Sequence, residues 1–494
     1  MIHPVPRPAP RQGRVLDRPS RLRQSATRYA LAIACLASLA CNRPQHANVL
    51  LVSLDSVRAD RVEAQRLGKP LAPTLARVAA EGATFTRAYS AYPNTLGSHS
   101  TLFTGLAPSE HRMAVVRAAG EDFLLKHGVA TLAGEFRDAG YATAAFTENA
   151  FLSKDFGFDA GFDVFEEGPL GTPFRFPAHA RDTVDRALGW LATRPASPFF
   201  LFVHSYEAHV PYEPSPENLR AVVGEEAAGS TSPFARRFDG LQSIAFHRGT
   251  LPLTPTDLAR IADLYDAEVH GLDAELGRLL AFLDSAGLSS STLVVLLADH
   301  GEEFGDQAVL GHGESLHESG LHVPLLLRLP GTIRAGTRVE TPVGLGDVGP
   351  TIAELAGIGT IFADTHARSL AASLHGKDTD RPVFSELERR SAVCPGAAPD
   401  APLGCDFDAV SVRDARYAYV QSRADGSENL YDRRVDPDET TDLAEARKEE
   451  TTRYRALVQE YRRTRTPHRA ATVRAAQPVT PQVVEKLRAL GYLQ

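Results

Sequence analysis

"NVLLVSLD", at Asn48–Asp55, is an apolar run that ends in an aspartate. "TLVVLLADHG", at residues 292–301, repeats this pattern and ends in Asp299, His300 and a glycine. Continuous apolar runs of this length are typical of strands that are buried on both faces of a parallel sheet. Ligands of such sheets bind beyond the carboxyl ends of the strands. We therefore expect Asp55 and Asp299 to face one crevice.

Helical patterns alternate with apolar runs up to about residue 375. The longest predicted helix has clear start signals: Thr254 as its cap, Pro255 at its first position and Asp257 in its first turn. We predict helices at residues 72–81, 128–139, 180–194 and 254–286, and further strands at residues 141–147 and 199–206. This alternation predicts an α/β fold, with a parallel-rich central sheet and helices on both of its faces.

After about residue 376 the pattern changes to short β-like runs, which predict a small antiparallel sheet. A charged helix is expected near residues 443–465, followed by a loose basic connection and a short amphipathic helix. The sequence thus predicts a large α/β domain at residues 46–375, a C-terminal subdomain at residues 376–465 and a tail at residues 466–494.

The first 40 residues have the pattern of a secretory signal. Residues 1–28 contain seven arginines and one acid, and "YALAIACLASLA" at residues 29–40 carries no charge. This order predicts a signal peptide that is removed on export. The alternative is a buried helix, but the run lacks an amphipathic pattern. "SLAC" at Ser38–Cys41 resembles a bacterial lipoprotein site with its leucine one position late, so Cys41 is a candidate for lipidation in the periplasm or cell envelope.

Removal of residues 1–40 takes the formal net charge from −8 to about −14, because seven arginines and Asp17 leave. So acidic a chain does not suggest a nucleic acid as its partner. An anionic substrate would need a local positive centre, such as a metal ion. Two cysteines, Cys394 and Cys405, flank a turn-rich loop, which predicts a disulfide in an exported protein, with two free thiols as the alternative.

A small set of side chains follows the predicted strands and could do chemistry. These residues are Asp55, Thr95, His209, Asp299, His300 and His312. Asp299 and His300 directly follow one rigid strand and can bind a single cation. Asp55, at the end of another strand, could complete the set of ligands. Each residue taken alone also has an ordinary role, since a strand-end aspartate often caps a helix. Their combination favours a metal-binding site.

Six stretches carry a resemblance to a known family. They are "NVLLVSLDSVRADRV", "TLGSHSTLFTGLAPSEH", "GYATAAFTEN…FGFDAGFD", "PFFLFVHSYEAHVPY", "LVVLLADHGEEFGDQAVLGHGESLHESGLHVPLLLRLPG" and "ENLYDRRVDPDETTDL". In this order they resemble the sulfatases of the alkaline phosphatase superfamily, over about residues 46–494. The resemblance implies a catalytic α/β domain, a C-terminal four-stranded sheet and one divalent cation at the strand ends.

The resemblance places Thr95 at the nucleophile position. Typical sulfatases have a C/S-x-P-x-R pattern there, whose first residue is oxidised to formylglycine, and this chain has "TLGSH". Threonine cannot become formylglycine because its Cβ carries a methyl group, so no formylglycine is expected. "TLGSH" resembles instead the threonine site of the superfamily's phosphodiesterases, in which a metal activates the hydroxyl. Ser98 is the rival hydroxyl and Ser100 a weaker one; Ser98 and His99, at the arginine position, are also candidate substrate-binding residues.

Other departures from the sulfatase pattern point to phosphoryl-handling relatives. Ser56 stands where sulfatases commonly have a second aspartate, and His300 stands where they have asparagine. The implied metal ligands are Asp55, Thr95, Asp299 and His300, and imidazole favours zinc or manganese over calcium. "TENAFLS" lacks the lysine and histidine that help sulfatases to hold sulfate. His209 matches the histidine of the family's D-P-H-x-P motif, and His312 matches a position where many sulfatases have lysine. Both could contact the transferred group or protonate the leaving group, so both are catalytic candidates.

The sequence therefore predicts a metal-dependent hydrolase of sulfate or phosphate esters, which acts on an anionic small-molecule or glycan ester. Two alternatives stay open. One is a phosphodiesterase or a transferase of phospho-headgroups that works through a threonyl intermediate. The other is a pseudoenzyme that binds an anionic ligand, which the loss of the formylglycine residue would permit.

Overall fold

The computed structural model describes residues 46–113, 128–148, 151–168, 180–193, 198–228, 236–377, 381–391 and 405–468, with the single residues 1, 3, 125, 195 and 234. For residues 389–391 and 405–407 only the backbone is described. Several predictions therefore lie outside the described residues: the signal peptide, the lipid site at Cys41, the disulfide of Cys394 and the terminal helix.

The chain from His46 onward forms one compact unit, in which strands and helices alternate. In chain order the strands are β1 (Asn48–Leu54), β2 (Gln65–Arg66), β3 (Lys69–Pro70), β4 (Ala83–Phe85), β5 (Ala88–Tyr89), β6 (Ala142–Thr147), β7 (Val164–Glu167), β8 (Phe199–Ser205), β9 (Thr292–Leu297), β10 (Glu303–Phe304), β11 (Leu310–Gly311), β12 (His322–Val323), β13 (Leu325–Arg328), β14 (Thr337–Val339), β15 (Val343–Gly344), β16 (Val383–Ser391), β17 (Cys405–Arg413), β18 (Tyr417–Ser422) and β19 (Glu428–Asp432). The α-helices are α1 (Pro73–Glu81), α2 (Thr95–Thr104), α3 (Pro108–His111), α4 (Leu132–Asp138), α5 (Ala180–Ala192), α6 (Pro216–Ala228), α7 (Gly240–His247), α8 (Pro255–Ser285), α9 (Glu318–Leu321), α10 (Val348–Ala356) and α11 (Lys448–Thr464).

The central sheet is mixed and has the strand order β14-β4-β13-β9-β1-β8-β6-β7. Strands β9, β1, β8, β6 and β7 run parallel, whereas β13 pairs with β9 in the antiparallel direction. β1 lies between β8 and β9, and every residue of these three strands is buried. Their apolar side chains belong to the main hydrophobic core. The carboxyl ends of β1, β8 and β9 therefore meet at one edge of the sheet.

Helices pack around this sheet and hold its strands in place. Helix α5 contacts β6 and β8, and helix α10 contacts β1 and β9. The long helix α8 buries fourteen of its residues and begins at the predicted cap, where the Thr254 side chain accepts a hydrogen bond from the Asp257 amide. Within the described ranges, no helix combines the length and the apolar character that a bilayer crossing requires.

The C-terminal part of the chain forms a separate antiparallel sheet with the order β16-β17-β18-β19. Helix α11 packs against β17 and β18, and Tyr454, Val458 and Tyr461 supply its buried face. This sheet confirms the four-stranded element that the family resemblance implies. The proposed boundaries at residues 376 and 466 stay predictions.

Most elements of the α/β part match their sequence predictions, and the differences have local causes. The helix expected at residues 128–139 begins only at Leu132, because the side chain of Thr131 caps it by accepting a hydrogen bond from the Gly134 amide. The parallel-rich sheet is confirmed, but its edge beyond β9 is mixed. There β13 pairs with β9 and with β4 in the antiparallel direction, and β14 pairs with β4 in the parallel direction.

Candidate active site

Asp55, Asp299 and His300 lie together at the carboxyl ends of β1 and β9. All three side chains are fully buried. His300 Nε2 is 3.6 Å from Asp55 Oδ1 and 3.5 Å from Asp299 Oδ2. Ligand atoms about 2.1 Å from a tetrahedral ion are roughly 3.4 Å apart, so these spacings suit one cation between the three atoms.

The hydrogen bonds of these residues leave ligand atoms available for such an ion. His300 Nδ1 is 2.9 Å from the Gly301 carbonyl oxygen, which holds the proton on Nδ1 and leaves the Nε2 lone pair exposed to the centre. Among the described residues, neither His300 Nε2 nor Asp299 Oδ2 has a hydrogen-bond partner, although both atoms are buried. Buried polar atoms without partners are costly, and a bound cation would satisfy both. The residues present therefore fit a divalent metal ion.

Two tight turns bring the ligands to this point. Ser56 adopts a positive φ of 62°, which is uncommon outside glycine and places its amide 3.3 Å from Asp299 Oδ1. The Ser56 hydroxyl donates to Asp55 Oδ1 at 2.9 Å. After β9, a Cβ at Gly301 would collide with the carbonyl oxygen of Ser319. Only glycine therefore fits the turn that follows His300.

Thr95 is the first residue of α2, and its side chain points into the same cluster. Its hydroxyl donates to Asp55 Oδ2 at 3.2 Å. The Ser98 hydroxyl instead donates to the Asp299 carbonyl oxygen at 2.7 Å, and the Ser100 hydroxyl donates to the Leu96 carbonyl oxygen at 2.6 Å. All three hydroxyls are buried, but only that of Thr95 is bonded to a carboxylate of the cluster rather than to backbone, so the geometry favours Thr95 over either rival.

His99 is fully buried beneath the cluster. Its Nε2 is 2.9 Å from Ser53 Oγ, its Nδ1 is 2.9 Å from the Thr95 carbonyl oxygen, and Asp299 Oδ2 lies 3.5 Å from the same Nδ1. From this position His99 supports the start of α2 and the Asp299 carboxylate. Its predicted contact with substrate, like that of Ser98, stays a prediction.

His209 and His312 face each other beside the cluster, with their Nε2 atoms 3.2 Å apart. The His312 Nδ1 atom is 2.9 Å from Glu302 Oε1, and the His209 Nδ1 atom is 2.5 Å from the Val210 carbonyl oxygen. The ring of His312 lies 4.3 Å from that of His300, measured between centroids. The structure thus brings both histidines next to Asp55, Asp299 and His300, and their catalytic role stays a prediction.

The electrostatics of the cluster are those of a site that lacks positive charge. Burial, with the nearby Asp55 carboxylate, raises the pKa of Asp299 well above its usual range. Burial opposes ionisation of Asp55 as well, but the hydrogen bond from His204 and the nearby His209 and His300 hold the pKa of Asp55 well below its usual range. Burial and His312 lower the pKa of His300 to about 3. A cation would favour ionisation of both carboxyl groups.

The pKa values of the two facing histidines move in opposite directions. Burial and the neighbouring His312 lower the pKa of His209 well below its usual range. Burial also acts against the charged form of His312, but the Glu302 carboxylate outweighs it and raises the pKa of His312. The Tyr206 hydroxyl lies 2.8 Å from His209 Nε2. His209 is therefore neutral, with its proton on Nδ1 towards the Val210 carbonyl oxygen, and His312 is the member of the pair that can donate a hydrogen bond to an anion held beside the cluster.

Sequence reasoning missed three residues of the site: His204, Tyr206 and Glu302. His204 Nε2 is 3.1 Å from Asp55 Oδ2, and Glu302 also accepts a hydrogen bond from Tyr212 at 2.7 Å. One sign of Glu302 was present in the sequence: it is an acidic residue only two positions after His300, at the same strand end. None existed for His204, which lies inside an apolar strand.

The segment in which sulfatases hold sulfate begins here with Glu148, directly after β6. The Tyr206 amide donates to Glu148 Oε2 at 2.9 Å. Burial raises the pKa of Glu148 to about 8. Of "TENAFLS" at residues 147–153, only residues 149–150 lie outside the described chain, and Phe151, Leu152 and Ser153 are buried.

Comparisons with known proteins agree with this fold. A family model described as Sulfatase matches residues 47–358. The multifunctional alkaline phosphatase superfamily protein PehA of Trinickia caryophylli is 26% identical, over 84% of this chain and 93% of its own. A protein solved with its substrate D-glucosamine-2-N,6-O-disulfate superposes with a TM-score of 0.66 at 18% identity, over 85% of this chain and 98% of its own. The phosphonate monoester hydrolase of Silicibacter pomeroyi superposes with a TM-score of 0.63 at 22% identity, over 87% and 99%.

Proposed function

The chain belongs to the sulfatase family, and on that premise we propose that it is a metal-dependent hydrolase of sulfate or phosphate esters in which Thr95 is the nucleophile. One observation carries the proposal: Thr95 Oγ1 donates to Asp55 Oδ2 at 3.2 Å, beside the three converging ligand atoms of Asp55, Asp299 and His300. A divalent cation, with manganese or zinc favoured by the imidazole ligand, would supply the Lewis acidity that lowers the pKa of an adjacent hydroxyl.

The residues of the chain suggest how the reaction would proceed. The Asp55 carboxylate accepts the Thr95 hydrogen, so the oxygen lone pairs of Thr95 are directed away from Asp55. Attack on sulfur or phosphorus would form a Thr95 ester and break the bond to the leaving alkoxide, which takes up a proton to leave as an alcohol, while the Thr95 proton would pass to Asp55, which already accepts its hydrogen bond. His312, whose pKa the Glu302 carboxylate raises, is the candidate donor of that proton, and the neutral His209 is its neighbour on the side of the transferred group. Hydrolysis of the Thr95 ester by water would then restore the hydroxyl.

The substrate class follows from the relatives and from the polar site. The structural neighbours include a protein solved with a sulfated sugar and a phosphonate monoester hydrolase, so both ester types belong in a test panel. We propose an anionic ester of a small molecule or glycan as the substrate. The panel is nitrophenyl sulfate, phosphate monoester, phosphodiester and phosphonate monoester, each assayed with manganese, zinc and calcium.

The decisive experiment compares Thr95→Ala with Ser98→Ala on the best substrate of that panel. We expect Thr95→Ala to lose at least about 10³-fold in turnover while it keeps its metal, because two carboxylates and an imidazole remain. Ser98→Ala should change turnover only mildly, since its hydroxyl is bonded to backbone. Elemental analysis reports the metal content of both variants. Wild-type turnover in Thr95→Ala, or wild-type protein that binds no metal, would contradict the proposal.

We also propose that residues 1–40 direct export of this enzyme to the periplasm or cell envelope, on the basis of their arginines and the uncharged run that follows. The mature chain should then begin at Cys41 or within a few residues of it. Mass spectrometry of protein from the native host measures this terminus. Cytoplasmic protein with an intact Met1 would contradict export.

A further inference from the structure

His204 is a buried polar residue on an otherwise apolar strand face. Side chains alternate along a strand, so Phe200, Phe202 and His204 of β8 share one face. All three are fully buried or nearly so. A buried imidazole is costly unless it is hydrogen-bonded. The partner that it has is therefore informative about its role.

The one hydrogen bond that the structure gives His204 goes to the Asp55 carboxylate. Its Nε2 lies 3.1 Å from Asp55 Oδ2. A carboxylate oxygen is an acceptor, so the proton must sit on Nε2. Among the described residues, His204 Nδ1 has no hydrogen-bond partner. The ring of His99 stands 5.2 Å away at 76°, measured between centroids, and limits the room in which the His204 ring can turn.

The two oxygens of Asp55 have different neighbours. Oδ1 is 2.9 Å from the Ser56 hydroxyl and 3.6 Å from His300 Nε2. Oδ2 accepts from the Thr95 hydroxyl at 3.2 Å and from His204 at 3.1 Å. The carboxylate plane is thus fixed by donors on both sides, and Oδ1 is the oxygen that faces Asp299 and His300.

We propose that His204 is a positioning residue of the metal centre, which holds Asp55 Oδ2 through its Nε2–H so that Asp55 Oδ1 faces the cation. This inference rests on the proposed metal centre and not on the identity of the nucleophile. Without the imidazole, Oδ2 loses one of the donors that hold it, and the carboxylate gains freedom to rotate about Cβ–Cγ. Loss of such an outer partner typically weakens metal binding by 10- to 100-fold.

Two substitutions distinguish a role of His204 in holding Asp55 from a role in packing alone. His204→Gln keeps an amide N–H at about the reach of Nε2, whereas His204→Ala removes the donor. Manganese affinity is measured by calorimetric titration of metal-free protein, after thermal unfolding and near-ultraviolet circular dichroism have shown that each variant is folded. We expect His204→Ala to bind manganese about 10- to 100-fold more weakly than wild type. His204→Gln should stay within a few-fold of wild type.

A matched control is available in His111, a buried histidine outside the cluster whose Nε2 contacts Thr101 Oγ1 at 3.1 Å. His111→Ala should leave manganese affinity unchanged. If His204→Ala does not fold, His204→Asn replaces it, because the shorter amide cannot reach Oδ2 and should bind manganese as weakly as expected for alanine. Wild-type affinity in folded His204→Ala or His204→Asn, or equal loss in His204→Gln, would overturn the inference. Wild-type protein that binds no manganese would overturn the metal centre itself, whereas Thr95→Ala tests the nucleophile separately.

Discussion

Asp266 and Asp299 are both fully buried aspartates, but their surroundings differ in charge. Asp266 lies in α8, and its two oxygens each accept a hydrogen bond from an arginine, Arg61 at 2.7 Å and Arg66 at 2.7 Å. Asp299 faces Asp55, and its Oδ2 has no hydrogen-bond partner among the described residues. The chain supplies the counter-charge of Asp266 but not that of Asp299. Asp266 therefore serves the fold, whereas the surroundings of Asp299 fit the proposed cation.

Of the two buried aspartates, we expect substitution of Asp299 to have the larger effect. We expect Asp299→Asn to lose stoichiometric manganese and to lose at least about 10³-fold in turnover, since metal assistance contributes several kcal/mol. The free energy of unfolding of the metal-free variant should equal or exceed that of metal-free wild type. The reason is that the asparagine keeps an acceptor for the Ser56 and His300 amides and removes repulsion from Asp55. Elemental analysis, turnover and urea unfolding measure the three quantities. A metal-loaded, active Asp299→Asn would contradict the assignment.

Manganese should stabilise the folded protein only when Asp299 is intact, whether or not Asp266 is substituted. Manganese at 100 times its dissociation constant should raise the free energy of unfolding of wild type by about 2.7 kcal/mol, because it binds the folded state alone. Asp299→Asn should show no gain, and Asp266→Asn should show the full gain. Thermal and urea unfolding with and without the metal measure this. An equal gain in all three proteins would mean that manganese binds elsewhere.

Removal of the charge of Asp266 should damage stability and spare function. Asp266→Asn leaves Arg61 and Arg66 without their shared partner, and loss of one partner of a buried ion pair typically costs 3–5 kcal/mol. The arginine side chains are 14% and 35% exposed, so we expect a smaller loss, about 2 kcal/mol in the free energy of unfolding. Manganese affinity of the folded protein should not change. A loss of affinity with unchanged stability would reverse the roles of the two aspartates.

The fold was largely predictable because apolar runs report burial directly. The strand at Asn48–Leu54 and the helix at Pro255–Ser285 end within a residue or two of their predicted positions. The antiparallel pairing of Leu325–Arg328 with β9 was not predicted, because strand direction depends on the path of the chain rather than on local composition. The two-residue strands were missed for the same reason: their pairing is set by the fold.

The site was predictable where residue type and strand end coincide, as for Asp55, Asp299 and His300. Spacing alone left Thr95 and Ser98 as rivals, since both hydroxyls lie in one short segment. Only the direction of each hydrogen bond, to a carboxylate for Thr95 and to a backbone carbonyl for Ser98, favours Thr95. His204 was missed because a histidine within an apolar strand gives no local sign of the residue that it contacts across the sheet.

A third carboxylate, which has an arginine partner as Asp266 does but is more exposed, tests the effect of burial. Glu428 of β19 accepts from Arg455 at 2.6 Å, and their side chains are 20% and 40% exposed. The hydrogen bond from Arg455 is the main cause that lowers the pKa of Glu428 to about 2. The unfolded value is about 4.3, so the pair contributes stability above that pH and loses it as the pH falls towards 2.

Solvent screening should make this contribution the smallest of the series, less than about 1 kcal/mol. We expect Glu428→Gln to lower the free energy of unfolding by that amount at pH 6, and the difference from wild type to shrink between pH 5 and pH 3. It should also shrink in 0.5 M salt, whereas the loss in Asp266→Asn should persist there, because buried pairs are screened much less. Urea unfolding of both variants at each pH and salt concentration measures these differences. A difference between Glu428→Gln and wild type that grows at low pH would mean that Arg455 does not lower the pKa of Glu428. Exposure would then not explain why the two ion pairs differ in their contribution to the free energy of unfolding.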